Sequence, residues 1–289
     1  MIHSFSLIMA TLGRVEEVGR FMESLAVQDC RNFELVIVDQ NQDDRLVELV
    51  DAYRCRFPIL YIKRAKPGLS RARNEGLAHV NGKIVAFPDD DCVYPQALLR
   101  HVADFFEHEI GQDGLTVRIL DLVGDDDAFG FGVMESGTVD EYKGWTVGVS
   151  PGIFLRRQFA EQVAFDEALG LPHSSSEDVD YLLRCIDQGA RVYHKADLCV
   201  RHPTVHEIYS VWKLVSREYK YSIGFGFLRV KRRVPWWVFP IDVFEPFYLF
   251  LKYVFTGKLR YSLPCASMSV GRAMGYWKGM RTLGLRRYE

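Results

Sequence analysis

The residues best suited to chemistry are acidic and lie just past an apolar run. Ile84–Phe87 leads through Pro88 into Asp89-Asp90-Asp91. Three carboxylates at the end of a buried strand repel one another and lose hydration, so a structural role there needs a cation to offset both costs. Hard oxygen ligands suit Mg2+ or Mn2+, which bridge protein carboxylates to substrate phosphates. A solvated acidic turn is the competing reading, and it is preferred for a second triplet, Asp125-Asp126-Asp127, which lacks the strand-end position. Two further groups stand out: Glu177-Asp178 after Ser174–Ser176, and His202 after the apolar stretch Leu198–Val200.

The elements that must position these groups alternate. Phe5–Met9 reads as a strand, Val15–Ala26 as a helix, Phe33–Val38 as a strand ending in Asp39, and Leu46–Tyr53 as a helix. Ile59–Ile62, Leu69–Val80 and Ile84–Phe87 continue as strand, helix and strand. Near-continuous apolar strands separated by helices predict an α/β fold with a parallel sheet covered on both faces. Ligands of such sheets bind beyond the carboxyl ends of the strands, where Thr11, Asp39 and Asp89–Asp91 meet. No strand is followed by GxGxxG or GxxxxGK[ST], which argues against a dinucleotide fingerprint or a P-loop.

Composition narrows the class. The 289 residues are 48% hydrophobic, enough for a large core. The net charge of −2 conceals an asymmetry: residues 1–200 carry 20 Lys+Arg against 33 Asp+Glu, and residues 201–289 carry 16 against 5. Such a basic segment answers an anionic surface, nucleic acid or phospholipid. The six cysteines are scattered with no CxxC pair, which fits a reducing compartment, and Met1–Arg14 reads as a first strand with no secretory leader.

In its opening strand with Thr11, FELVIVDQ with Asp39, Gly68–Gly76 (GLSRARNEG), FPDDD, GIFLRRQF with FDEALG, and Glu177-Asp178 followed by Arg184, the chain resembles the family-two glycosyltransferases of GT-A fold. The resemblance covers about residues 4–205. It implies a mostly parallel nucleotide-binding sheet flanked by helices, as a catalytic domain over 1–205; residues 206–289 lie outside the resemblance and read as a basic, aromatic helical appendage. It also implies a nucleoside diphosphate sugar as donor, with Thr11 and Asp39 in the donor site, Asp39 at the base and Arg71 near the nucleotide. Asp89 and Asp91 then manage metal and donor with Asp90 beside them, Asp178 is the base, and His202 approaches the metal or the diphosphate.

Each assignment also has a bland reading. Asp39 can accept from a uracil imide N–H or cap a helix. Arg71 and Arg73 can address a diphosphate from a helix start or form a solvated turn with Glu75, and Asn74 can cap or pack as readily as touch a ligand. For sugar transfer, a divalent cation offsets charge on the leaving diphosphate, so one carboxylate, Asp178, suffices to take the acceptor proton and invert the anomeric centre. Otherwise Ser176 caps a helix over Val179–Ile186 whose dipole Glu177 and Asp178 offset; Glu177 is the weaker candidate for the base. His202 is balanced between metal ligand and core residue, and His173, His194 and His206 receive no role.

Trp236–Phe255 is aromatic but broken by Pro240, Asp242, Glu245, Pro246 and Lys252, a poor continuous membrane span. Phe244, Phe247, Tyr248, Leu251 and Phe255 recur at helical spacing between Arg229, Lys231, Arg232 and Arg233 upstream and Arg281, Arg286 and Arg287 downstream. This pattern suits a helix lying on the inner face of an anionic membrane, and a hairpin packed on the catalytic domain or in an oligomer interface is the alternative. The expected protein is therefore a cytoplasmic, peripheral, metal-dependent transferase acting on a glycan or lipid-linked acceptor. A sugar-nucleotide nucleotidyltransferase fits less well, because Ala10–Arg14 is a poor phosphate loop. A non-catalytic or nucleic-acid-binding protein fits less well again, and no nucleic acid partner is expected.

Overall fold

The computed structural model describes residues 4–64, 66–128, 135–170, 174–204 and 209–283, which form two compact units. The first comprises residues up to Phe165 together with Asp178–Thr204; the second comprises Asp166–Glu177 and the residues from Val205 onward. Residues 166–177, placed in the first domain by the sequence, group with the C-terminal helices instead.

The first unit is built on an eight-stranded sheet. Its strands are β1 (Phe5–Thr11), β2 (Phe33–Asp39), β3 (Ile59–Lys63), β4 (Ile84–Ala86), β5 (Gly114–Leu120), β6 (Gly137–Thr138), β7 (Ile153–Arg156) and β8 (Val192–Arg201), in the order β3-β2-β1-β4-β7-β5-β8-β6. The four strands β3, β2, β1 and β4 are mutually parallel, as the alternating sequence predicts. Beyond β4 the sheet becomes mixed, because β7 runs antiparallel to both β4 and β5, and β6 antiparallel to β8.

Alternation along the strands explains the two layers. Phe5, Leu7 and Met9 of β1 and Phe33, Leu35 and Ile37 of β2 pack on one face against α1 (Glu16–Ala26), α2 (Val47–Tyr53) and α4 (Leu98–His108). Ile8, Val36 and Val38 face the other side, against α3 (Leu69–Leu77), α5 (Glu141–Val147) and α7 (Glu177–Asp187). Sheets covered on both faces need strands that are apolar throughout, which is what FSLIMAT and FELVIVD supply. α3 approaches β1 so closely that a Cβ on Gly76 would lie 2.4 Å from Ile8 Cγ2, which explains the glycine of the Asn74-Glu75-Gly76 segment. Between these helices, Ser150–Gly152 forms a single 3-10 turn before β7, and α6 (Arg157–Ala160) follows it.

The second unit contains α8 (Val211–Lys231), α9 (Val238–Phe255) and α10 (Leu259–Thr282). α8 and α10 meet along small residues: a Cβ on Gly226, Gly271 or Gly275 would lie 2.3, 2.5 or 2.2 Å from a carbonyl oxygen of the facing helix. Asp242 of α9 is buried and accepts from Tyr276 Oη at 2.6 Å, with Arg229 Nε 3.1 Å away. Of α9, however, only Asp242 and Pro246 are buried. Its aromatic stripe faces solvent, with Phe244 64%, Tyr248 65% and Phe255 85% exposed. Among the described residues, no helix is long and apolar enough to cross a membrane.

Candidate active site

The expected site residues converge at the carboxyl ends of β1, β2 and β4. β1 and β2 each run further than their apolar pattern predicts, so Thr11 and Asp39 are the last residues of their strands and pair in register. β4 stops at Ala86, which puts Asp89–Asp91 in the turn beyond it. Thr11 is buried, and its hydroxyl is near enough to Asp90 to favour the charged carboxylate without forming an aligned hydrogen bond. Asp39 is fully buried with both oxygens engaged. Asn41 donates to Oδ1 through its backbone N–H at 2.8 Å and its Nδ2 at 2.7 Å, while Tyr61 Oη and Lys63 Nζ donate to Oδ2 at 2.5 and 3.1 Å. Contact between Asp39 and a base therefore requires one of these partners to give way. Arg71 is exposed in the first turn of α3, and Glu75 pairs with Arg64.

Arg73 behaves differently from its neighbour. It is essentially fully buried, its guanidinium 5.3 Å from the centre of the Phe165 ring, and its Nη2 donates to Asp89 Oδ1 at 2.9 Å and to Ser150 Oγ at 2.7 Å. Asn74 is committed to the backbone of Phe165, donating to its carbonyl at 2.9 Å and accepting its N–H at 2.7 Å, so it packs. Ser150 joins the two acidic groups: its hydroxyl donates to Asp89 Oδ1 at 3.2 Å and its N–H to Asp178 Oδ2 at 3.1 Å. Asp178 lies half-buried in the first turn of α7. Burial raises its carboxyl above the ordinary value, and Asp89 adds to this, against the lowering influence of Arg73 and of the N–H groups of Ser150 and Val179. Ser176, the expected helix cap, sits instead at φ 68°, away from the extended backbone usual for that position. Glu177 is buried at the start of the helix.

His202 joins Asp89 and Asp91. Its Nε2 lies 3.2 Å from Asp91 Oδ1 and 3.8 Å from Asp89 Oδ2, and one ligand atom from each of the three fits within 4.8 Å of the others. His202 Nδ1 is 3.1 Å from the Pro203 carbonyl, which favours the tautomer protonated there and turns the Nε2 lone pair toward the carboxylates. Asp91 Oδ1 is buried, and despite its proximity to Nε2 it has no aligned hydrogen bond. An imidazole lone pair and two carboxylates facing one another require a proton or a metal ion between them, so the donor set fits Mg2+ or Mn2+. In the protonated alternative, burial lowers the imidazole pKa, and Asp91 and Asp89 outweigh it to give a net rise. The same imidazole holds Asp91 below its ordinary value against burial, whereas Asp90 is pushed up to about 6, chiefly by burial.

Three contributors carry little sequence signal. Arg14, just past β1, places Nη1 against Asp90 Oδ1 and 2.8 Å from Asp91 Oδ2. Ser150 has no flanking pattern, and Arg73 is indistinguishable in sequence from the exposed Arg71. Asp125 and Asp126 are exposed in a turn, consistent with the solvated reading. His194 is a buried core residue 3.0 Å from Thr116 Oγ1 through Nδ1. His173 and His206, for which no role is expected, lie outside the described residues, as do Arg286 and Arg287.

Residues 6–121 match the family model "Glycosyl transferase family 2". That segment is similar to the family-two glycosyltransferases. The chain is 34% identical over 95 residues to the uncharacterized glycosyltransferase YibD of Escherichia coli, a stretch covering 32% of this chain and 28% of that protein. It is also 34% identical over 106 residues to the beta-monoglucosyldiacylglycerol synthase of Synechocystis, covering 35% of this chain and 22% of that one. The chain thus spans less than a third of the length of these relatives. Staphylococcus aureus TarS in complex with UDP-GlcNAc superimposes with a TM-score of 0.57 at 21% identity, over 75% of this chain and 64% of that one, which establishes the GT-A fold.

Proposed function

We propose that this chain transfers a sugar from a nucleoside diphosphate sugar to a hydroxyl of a glycan or lipid-linked acceptor, with inversion at the anomeric carbon. The observation that carries the reading is the link through Ser150 between Asp89 of a metal-capable cluster and the raised carboxyl of Asp178. Asp89, Asp91 and His202 would hold Mg2+ or Mn2+, which supplies positive charge for the leaving diphosphate. Asp178 accepts the proton of the acceptor hydroxyl as its oxygen bonds to the anomeric carbon and the nucleoside diphosphate departs from the opposite face. Ser150 and Arg73 fix the carboxylates in position. Thr11, Asp39, Asp90 and Arg71 surround the donor. The relative named a beta-monoglucosyldiacylglycerol synthase supports a lipid acceptor, and the neighbour bound to UDP-GlcNAc supports a UDP-sugar donor.

A donor panel with manganese tests the reading. Release of nucleoside diphosphate with a product of inverted anomeric configuration by NMR is expected. Release of sugar 1-phosphate instead would point to nucleotidyl transfer, and retained configuration would remove the role given to Asp178.

The helical unit is read as a peripheral membrane anchor on the cytoplasmic, inner face. Its exposed aromatic stripe and its exposed Arg233, Lys252, Lys258 and Lys278 match the apolar and anionic layers of a phospholipid surface. Sedimentation with anionic and neutral vesicles checks this, with stronger binding expected to the anionic ones.

A further inference from the structure

Arg14 places a positive charge on the carboxylates that a divalent ion would need. Gly13, in the left-handed region at φ 79°, donates its N–H to Asn41 Oδ1 at 2.7 Å, and this fixes the loop from which Arg14 turns back over the strand ends. A single Nη1 atom serves both Asp90 Oδ1 and Asp91 Oδ2, the latter at 2.8 Å. Both carboxylates are more than nine-tenths buried, whereas 36% of the Arg14 side chain is exposed. Asp91 is therefore shared, with Oδ2 on the guanidinium and Oδ1 toward His202.

An ion held by Asp89, Asp91 and His202 must compete with that guanidinium for Asp91 and is repelled by it, more strongly at a buried site than in water. A diphosphate changes the balance, since it offers the guanidinium a replacement anion suited to its forked donors. We propose that Arg14 is an internal counter-ion that keeps divalent-cation affinity low until a nucleoside diphosphate arrives, so that cation and nucleotide bind cooperatively. The inference rests on the metal and donor reading given above. No bond is made or broken; one cation replaces another on Asp91. Linkage requires the nucleotide to tighten the metal by the same factor as the metal tightens the nucleotide.

The test is Mn2+ binding to the full chain, followed by the electron paramagnetic resonance of free Mn2+, with and without UDP. In the wild type, UDP should tighten Mn2+ at least about fivefold, the lower end of ordinary coupling between sites. Arg14→Gln should bind Mn2+ alone at least about fivefold more tightly than the wild type and show a UDP effect smaller by the same factor, the remainder coming from direct attraction between the ion and the diphosphate. Arg14→Lys keeps the charge but not the fork and should fall between them; it also serves should the glutamine variant fail to fold. Wild-type Mn2+ affinity and wild-type UDP coupling in both variants overturn the inference and leave the metal reading standing. Absence of Mn2+ binding by the wild type, with or without UDP, overturns both.

Discussion

The two units treat buried acid in opposite ways. In the helical unit, Asp242 is fully provided for: Tyr276 and Arg229 serve its carboxylate, and Arg272 donates to its backbone carbonyl at 2.7 Å. At the sheet end, four carboxylates, Asp89, Asp90, Asp91 and Asp178, crowd together beside Arg14, Arg73 and His202, and Asp91 retains a buried oxygen with no aligned hydrogen bond. A buried acid with matched partners holds helices together, whereas an excess of buried acid stores repulsion that a ligand can relieve. Apolar surface reverses the pattern. The sheet unit buries most of its described aromatics, stacking Phe165 on Tyr181 with ring centres 4.0 Å apart, with Tyr142 an exception at 83% exposed, while the helical unit leaves the α9 stripe in solvent.

The comparison breaks most visibly at Asp91. Asp91→Ala should abolish manganese-stimulated transfer and Mn2+ binding while the chain still unfolds cooperatively, because it removes repulsion as well as contacts. Full turnover of the wild type in excess chelator would defeat the metal assignment. Asp178→Asn follows, with transfer expected to fall about 10²–10⁴-fold, the usual worth of a general base. UDP-sugar binding should survive in that variant, and near-normal transfer would move the role to Glu177.

Asp242→Ala should act on stability instead. Breaking a buried pair from one side costs about 3–5 kcal/mol, so the melting temperature should drop well below that of Asp91→Ala. Equal melting of the two variants would erase the distinction between matched and excess acid. For the exposed face, Lys252, Lys258 and Lys278 changed together to Glu should weaken anionic-vesicle binding at least about tenfold, given about 1 kcal/mol per basic residue near the surface. Donor hydrolysis should persist in that variant. Lys231 is a poor target, because its Nζ is paired with Asp166 at 2.6 Å and its loss would disturb the unit itself. Equal vesicle binding by this triple variant and the wild type would favour a packed or oligomeric role for the helices.

The smallest effect is on the pH profile. Asp178 must be ionised to accept a proton, and burial raises its carboxyl. The acid limb of log kcat should therefore lie above the ordinary aspartate value of about 3.9, with activity lost as pH falls through it. A limb at or below that value would mean that the base is a better-solvated carboxylate.

Sequence by itself determined the parallel half of the sheet, since FSLIMAT, FELVIVD and the helical spacings between them are local periodicities that any burial on both faces enforces. It also determined the placement of Thr11, Asp39 and Asp89–Asp91 at one sheet end, because parallel strands must bring their carboxyl ends together. It marked the basic, aromatic C-terminal segment through composition. Only the tertiary structure decided that Arg73 is buried on Asp89 while Arg71 is exposed, that Arg14 occupies Asp90 and Asp91, and that Ser150 links Asp89 to Asp178. It also decided that β7 enters antiparallel and that residues 166–177 group with the C-terminal helices. These features depend on contacts between groups far apart in sequence, such as Arg73 with Ser150 and Arg14 with Asp90. Their existence follows from how loops close over a packed sheet, and no periodicity or short motif encodes which side chain then meets which carboxylate.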